Sequence, residues 1–169
     1  MGSRVEFKDF SIDVKAAMNS TTIAWLHETA NEVTSQAQRN CVMEDDAGKQ
    51  LKGSYKNVVD DGKGEAQVGS PLESAYWEEW GTGEYAAHKD GRKGWWVYIK
   101  GQASKGGGKS YRTKEEAEEA AAFLRGAKKL DAMVTNGRRP NYTLEKSFES
   151  TKNPAIAQLE RMLKERMGT

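Results

Sequence analysis

The sequence has little of the chemistry on which most enzymes and metal proteins depend. Cys41 is the single cysteine, and His27 and His88 are the two histidines. One cysteine cannot form an internal disulfide, which favours a reducing compartment, and so few ligands supply a metal cluster poorly. No nucleophile elbow or cysteine–histidine motif accompanies them. We therefore predict no metal, no cofactor and no catalytic residues, with a partly exposed cysteine and two surface histidines.

Long apolar runs are also missing. No stretch approaches the length of a membrane-spanning helix, and the first residues lack the apolar core of a signal peptide. We expect no membrane partner. The net charge is +1 over 169 residues, so the overall charge favours no class of partner. Five tryptophans and six tyrosines argue against disorder, and we predict a single domain over residues 1–169.

Two segments have the pattern of amphipathic helices. Residues 11–40 contain no proline or glycine, and one face of the second half carries Leu26, Ala30, Val33 and Ala37. Near the other end of the chain, Asn153 and Pro154 have the character of a helix cap and first residue. We predict a long N-terminal helix and a C-terminal helix that begins at Pro154.

A third helix is predicted in the second half of the chain. Thr113 and Glu116 have the spacing of a capping box, in which each side chain binds a free amide of the first turn. The apolar side of the following residues extends to Val134, and Gly137 is a typical stop. The pattern predicts a helix at about 113–135.

The middle of the chain has the alternation that is typical of strands. Residues 54–59 and 65–69 flank the turn sequence DDGKG and predict a β-hairpin. Residues 95–100, WWVYIK, predict a strand, and residues 75–80 a short aromatic strand or turn. Loops are expected at 44–53 and 81–94. The fold class is therefore α+β, with a mostly antiparallel sheet packed by the N-terminal and C-terminal helices.

Adjacent carboxylates occur at Glu78 and Glu79. If they lie on a strand, successive side chains point to opposite faces, and the pair is badly placed for acid–base chemistry. Two other acidic pairs, Asp45-Asp46 and Asp60-Asp61, are expected in solvated turns. None of these pairs predicts catalysis.

The octapeptide ASKGGGKS, residues 103–110, fits a loose form of the phosphate-binding loop. A phosphate loop places its Lys-Ser at the opening of a helix, where free amides meet the phosphates. Here the predicted helix starts at Thr113, and four glutamates crowd its first turns and would repel a triphosphate. We predict instead that residues 101–112 are a mobile linker and bind no nucleotide.

Charge is distributed unevenly along the chain. Residues 44–87 hold ten acidic and four basic side chains, whereas residues 88–114 hold eight basic and one acidic. Three interpretations remain open: two solvated loops of opposite charge, a heterologous contact between subunits that generates a ring, or a basic aromatic arm on nucleic acid. The candidate interface residues are Arg92, Lys93, Lys105 and Lys109.

Two stretches resemble the small head–tail joining (tail-completion) proteins of long-tailed phages. These stretches are AGKQLKGSYKNVV, residues 47–59, and AYWEEWGTGEYA, residues 75–86. Members of that family have an N-terminal helix, a turn into a hairpin, a motif ending in Gly-Thr-Gly and a C-terminal helix. The positions that carry the resemblance are Gly48, Leu51, Ser54, Tyr76, Glu79, Gly81, Thr82 and Gly83.

The resemblance implies a non-enzymatic virion protein that oligomerises as a ring at the head–tail junction. It implies a sixfold ring, with other connector proteins and tail-tube proteins as partners and DNA in the channel. We expect the isolated subunit to be a monomer, present in the host cytoplasm during assembly. Residues 101–137 are interpreted as an insertion with its own helix. The alternative is a nucleic-acid-binding module that uses the basic segment 88–114.

Overall fold

The computed structural model describes residues 11–42, 46–100 and 108–168. The helices are α1 (Ser11–Asn40), α2 (Asp46–Ser54), α3 (Glu73–Trp80), α4 (Lys114–Lys128) and α5 (Thr143–Met167). The strands are β1 (Lys56–Asp60), β2 (Glu65–Gly69), β3 (Thr82–Gly83), β4 (Trp95–Ile99), β5 (Ser110–Tyr111), β6 (Ala132–Thr135) and β7 (Gly137–Arg138). All pairs are antiparallel, in the orders β1-β2, β3-β7 and β5-β4-β6. The predicted α+β class is confirmed, with the strands divided among three small sheets.

Helices α1 and α5 pack against each other along their length. The buried face of α1 includes the predicted positions Ala30, Val33 and Ala37. Small side chains at every fourth position form the facing surface of α5: Thr143, Ser147, Thr151 and Ala155. Small residues allow two helix backbones to approach closely. Polar side chains also bridge the two helices. The indole Nε1 of Trp25 donates to the carbonyl of Ala155 at 2.6 Å.

The predicted start of α5 is wrong. The helix begins at Thr143, and Pro154 lies in its interior and is not its first residue. Proline is unfavourable inside a helix because it lacks the amide proton. The helix nevertheless continues through Pro154. Tertiary contacts hold it on both sides of the proline: Trp25 binds the Ala155 carbonyl just after it, and Glu79 binds the amide of Leu144 at the helix start. Such contacts are invisible to a local sequence pattern.

The predicted loop at 44–53 is also wrong where the structure describes it, since Asp46–Ser54 form α2. Leu51 is fully buried in a small core cluster. The other buried members of that cluster are Ala37, Cys41, Tyr55 and Ala75. Cys41 is therefore buried, not partly exposed as predicted, whereas His27 and His88 are exposed. The family-motif residues Gly48 and Leu51 face this core from one side of α2.

The β1–β2 hairpin confirms the pattern that flanks the DDGKG turn. Its inner side chains pack on α1, and the turn is held by the amide of Gly64 to the carbonyl of Asp60 at 2.8 Å. His27 of α1 reaches the turn, with Nε2 at 2.8 Å from Asp61 Oδ1. The family-motif Ser54 hydroxyl binds the Ser70 hydroxyl at 2.6 Å and closes the base of the hairpin.

The third helix is shorter than predicted. Thr113 Oγ1 accepts from the Glu116 amide at 3.2 Å, as a capping box requires, while Glu116 Oε2 reaches back to the Arg112 amide at 3.1 Å. The helix ends where Lys129 takes a left-handed conformation, with φ 51°. Residues 132–135 form β6, so the helix at 113–135 is divided and Val134 lies in a strand. Gly137 begins β7 and does not stop the helix.

Candidate functional site

The aromatic run before the Gly-Thr-Gly motif forms α3, which contradicts the predicted strand or turn at 75–80. Its side chains reverse the expected pattern of burial. Tyr76 and Trp77 are exposed, whereas Glu78 and Glu79 are buried. On a helix the two adjacent acids both reach the interior, which the strand interpretation excluded. The energetically costly groups are therefore inside, and each must find partners there.

Glu78 is fully buried and surrounded by donors. Its Oε1 accepts from the backbone amide of Val42 at 3.0 Å and from the Asn141 side-chain amide at 3.1 Å. The hydroxyl of Thr143 lies 3.4 Å from the same oxygen. Arg138 Nη2 lies 2.7 Å from Oε2, a charge contact whose geometry is not that of a hydrogen bond. A buried carboxylate is tolerated here because an arginine neutralises it and several donors replace water.

Glu79 caps the start of α5. Its Oε2 accepts from the amide of Leu144 at 2.7 Å and its Oε1 from the amide of Glu145 at 3.1 Å. These are free amides of the first turn, where a negative charge is favoured by the helix dipole. The cap comes from a residue more than sixty positions earlier in the chain, which explains why no local signal marked this helix start.

Asn141 links three elements at the same place. Its side-chain amide lies 2.8 Å from the carbonyl of Asn40, at the end of α1, as well as within reach of Glu78. Its backbone amide donates to the Glu78 carbonyl at 2.9 Å. We refer to this group as the carboxylate junction, defined by Glu78, Glu79, Arg138, Asn141 and Thr143. The sequence analysis did not identify Arg138, Asn141 and Thr143 as members. The available signal was the pair of adjacent acids, Glu78 and Glu79, inside the aromatic stretch 76–80.

The Gly-Thr-Gly motif continues the junction into the β3–β7 pair. Gly81 and Gly83 have φ 72° and 61°, which side-chain-bearing residues rarely adopt. A Cβ atom on Gly81 would lie 2.6 Å from the Arg138 carbonyl oxygen, and one on Gly83 would collide with Asn136 and Trp96. Thr82 Oγ1 accepts from the Arg138 amide at 3.0 Å. The two glycines therefore permit the positive-φ backbone and the close approach of β7, and the threonine hydroxyl accepts the Arg138 amide.

Tyr55 lies at the inner edge of the junction. Burial raises the pKa of its phenol well above the ordinary value, and Cys41, Glu78 and Glu79 raise it further. The phenol therefore stays neutral. The carboxylate oxygens of Glu78 and Glu79 contact groups of the protein itself. Two shallow concavities lie elsewhere, on α4 and between α1 and α5. The junction fixes the fold and does not have the geometry of an active site.

The basic segment packs its cations on aromatic rings around β4 and β5. The Arg92 guanidinium lies 5.0 Å from the Trp96 ring centroid, and Lys109 Nζ lies 5.0 Å from that of Tyr111. Arg92 also donates from Nε to the Ser110 hydroxyl at 2.7 Å and from Nη2 to the Gly108 carbonyl. Such cation–π contacts add modest attraction at exposed sites.

The candidate interface residues therefore differ in what they do. Arg92 is half-buried and holds β5, while Lys93 and Lys109 are exposed. Lys105 lies outside the described residues, as does most of the predicted mobile linker. The end of that linker, Ser110–Tyr111, forms β5. The helix α4 begins only at Lys114, so Lys109 and Ser110 do not open a helix as a phosphate loop would.

The β5-β4-β6 sheet has one covered and one open face. On the covered face, Val97 and Ile99 stand opposite Val134 and Ala132 and pack beneath α4. On the other face, Tyr98 stands opposite Met133, and these side chains are 40% and 42% exposed. We call this second surface the open sheet face, defined by Trp96, Tyr98 and Met133, with Arg92 beside it and the exposed Lys93 and Lys100 beyond the two ends of β4.

The acidic segment is less acidic at the surface than its composition suggests. Glu78 and Glu79 are buried in the carboxylate junction. Asp61 contacts His27, and Glu84 accepts from the Gly94 amide at 3.2 Å. Exposed acids also lie on the outer side of α4, at Glu115 and Glu119.

In the part of the chain that the structure describes, no three histidine, cysteine, aspartate or glutamate side chains are grouped as a metal site would need. None of the helices in that part is both long enough and apolar enough to span a membrane. Comparison with known proteins gives no match to any family model, curated protein or solved structure.

Proposed function

We propose that this chain is a non-enzymatic structural protein of a phage virion, which oligomerises as a ring at the head–tail junction. The proposal starts from the resemblance of its motifs to the head–tail joining family. The observation that carries it is the role of Glu79, Gly81, Thr82 and Gly83 in one contiguous unit. In this unit a carboxylate cap, two positive-φ glycines and a threonine acceptor lie together, and this arrangement is consistent with a shared structural motif.

The distribution of side chains also supports an assembly protein. Most of the buried apolar residues are small, and alanines predominate among them. Large apolar side chains are instead exposed on several elements, including Val58, Trp77, Tyr98, Phe123 and Phe148. Where such side chains form a contiguous patch, the patch is a typical contact surface for another chain.

Electron microscopy of particles tests the proposal. A tagged copy of the chain should label the neck, between the filled head and the tail. Exchange of the exposed Lys93 and Lys109 for glutamate should leave the circular dichroism spectrum unchanged and reduce incorporation into particles. Arg92 is left intact because it holds β5. A label found elsewhere in the particle, or absent from it, contradicts the proposed function.

A second candidate, the nucleic-acid-binding module, is favoured by one observation: cations of residues 88–114 lie on the half-buried rings of Trp95, Trp96 and Tyr111. Basic grooves with stacking aromatics are how proteins hold single strands. Binding of the isolated protein to DNA that weakens steeply with salt, together with no neck label, would favour this candidate.

A further inference from the structure

Two surfaces of opposite character lie on opposite sides of one small unit, built from β4, β5, α4 and β6. One is the open sheet face. The other is the outer side of α4, which we call the α4 ridge and define by Glu115, Glu119 and Phe123. These ridge residues recur every four positions, so they form one stripe. The sheet lies between the α4 helix and the open face, and the two surfaces therefore point away from each other.

The α4 ridge combines negative charge with an apolar anchor. Glu115 and Glu119 are exposed, and Phe123 is 65% exposed one helical turn further along. The buried side of the same helix is formed by Ala117 and Ala121. Phe123 is therefore mostly exposed and is not one of the buried residues beneath α4. A large aromatic side chain in such a position is a typical centre of an interface.

The open sheet face has the complementary composition. Tyr98 and Met133 form an apolar centre, and Met is a side chain that adapts to different partners. Three cations lie at its rim, the exposed Lys93 and Lys100 beyond the two ends of β4 and Arg92 above Trp96, with one exposed acid, Asp131, beside Lys100. An apolar patch with cations at its rim matches an aromatic residue with acids at its rim.

We propose that the open sheet face binds the α4 ridge of a second copy of this chain. Phe123 of one copy packs on Tyr98 and Met133 of the next, while the glutamates of the ridge meet the lysines of the face. Since the two surfaces are different and point in opposite directions, the contact is heterologous, and every copy has one of each to offer. Such a contact closes into a ring when its rotation divides a full turn.

This inference rests on the proposed function for the ring and names the surfaces that form it. The alternative occupant of the open sheet face, a nucleic acid, explains the lysines but not the acidic ridge behind the sheet. A second copy explains both surfaces with one contact. In this arrangement the segment interpreted as an insertion contributes α4, β5 and β6 to the contact between copies.

Charge reversal in two separate chains gives the sharpest test. The face variant Lys93→Glu with Lys100→Glu carries acids on both surfaces. The ridge variant Glu115→Lys with Glu119→Lys carries bases on both. Each variant alone should repel its own copies and weaken self-association by at least about tenfold relative to the original chain. Mixed in equal amounts, the two variants should assemble, because every contact then joins opposite charges in an alternating ring.

Sedimentation at high protein concentration and low salt measures these associations, and added salt should weaken them. Phe123→Ser should reduce association by about tenfold or more, since a central aromatic is lost. Its matched control is Phe148→Ser on α5, where the phenylalanine is 51% exposed but belongs to neither surface. Circular dichroism confirms that each variant is folded.

At a protein concentration where the original chain associates, a mixture that associates no more strongly than either variant alone, while both are folded, overturns the inference. Equal loss of association in the Phe123 and Phe148 variants also overturns it. Loss of salt-dependent single-stranded DNA binding in the face variant alone assigns the open sheet face to nucleic acid and also overturns it. The two proposals fail separately. Mixed assembly without a neck label rejects the virion role only, and a neck label without mixed assembly rejects this interface only.

Discussion

The carboxylate junction and the open sheet face distribute polar and apolar groups in opposite ways. At the junction, Glu78 and Glu79 are inside, and their neighbours Tyr76 and Trp77 are exposed. At the sheet, Tyr98 and Met133 are outside beside lysines. Buried polar networks fix one geometry because every member needs its partner. Exposed aromatic groups are not needed for folding and remain available to another chain. The difference separates residues that specify the fold from residues that we propose to serve assembly.

Removal of Glu78 tests the first half of this comparison most strongly. Glu78→Ala leaves the Val42 amide without this acceptor, removes one bond of the Asn141 side chain and leaves Arg138 without its counter-charge, and we expect a loss of about 3 kcal/mol in the free energy of unfolding. Urea denaturation measures it. The exposed Glu73→Ala is the control and should change stability by less than about 0.5 kcal/mol. Equal effects of the two substitutions would mean that the junction does not hold the fold.

A pair of glycines sharpens the same comparison. Gly83→Ala forces a side chain onto Asn136 and Trp96 at positive φ, and should cost about 2 kcal/mol or more. Gly126→Ala is its matched control, because Gly126 is inside α4 with no atom near the added Cβ. That variant should gain about 0.5–1 kcal/mol from reduced backbone freedom. Thermal unfolding should move in opposite directions for the two variants, and a shift in the same direction contradicts the account.

Loss of the long-range cap should have a smaller and more local effect. Glu79→Ala removes the acceptor of the Leu144 and Glu145 amides and should cost about 1–2 kcal/mol. Glu79→Gln keeps one acceptor but loses the charge and places an NH2 group against the other amide, so its cost should be about 1 kcal/mol. Hydrogen exchange at the first turn of α5 should accelerate in the alanine variant. Unchanged exchange there would show that the cap is not needed.

The pH dependence of stability should reveal the burial of Tyr55. Its raised pKa means that the unfolded chain loses the phenol proton first, above its ordinary pKa of 10.0. The contribution is complete below that pH, and stability falls as the pH rises above it, by up to about 1.4 kcal/mol per pH unit. Tyr55→Phe should remove this part of the alkaline decline. Identical alkaline slopes for both proteins would contradict a neutral buried phenol.

The smallest expected effect concerns the open sheet face. Tyr98→Ser should change the free energy of unfolding of the monomer by about 1 kcal/mol or less, because the side chain is 40% exposed and its cross-strand partner Met133 is itself exposed. Chemical denaturation at low protein concentration measures this. A loss comparable with that of Glu78→Ala would mean that the face belongs to the fold and not to an interface.

Some of this molecule could be predicted from sequence because the signals are local. The capping box at Thr113, the DDGKG hairpin and the alternation of WWVYIK all depend on residues close together in the chain, and all appear in the structure. The α+β class followed from these elements and from the two long helices.

The carboxylate junction could not be predicted, because its contacts join residues far apart in the chain. The helical state of α3 opposes the strand preference of its aromatic residues, and Glu78 and Glu79 are held by partners from Arg138 onward. The true start of α5 depends on the same contacts. The motif residues Glu79, Gly81, Thr82 and Gly83 were identified by resemblance, but their roles became visible only with the partner strand β7.

The claim that this chain forms the ring of a phage neck is tested most directly by a density map of that neck. The account predicts six copies around the channel, with α4 of each copy seated on the β4–β6 face of its neighbour. A neck that lacks this chain, or holds it with both surfaces facing solvent, would contradict the account.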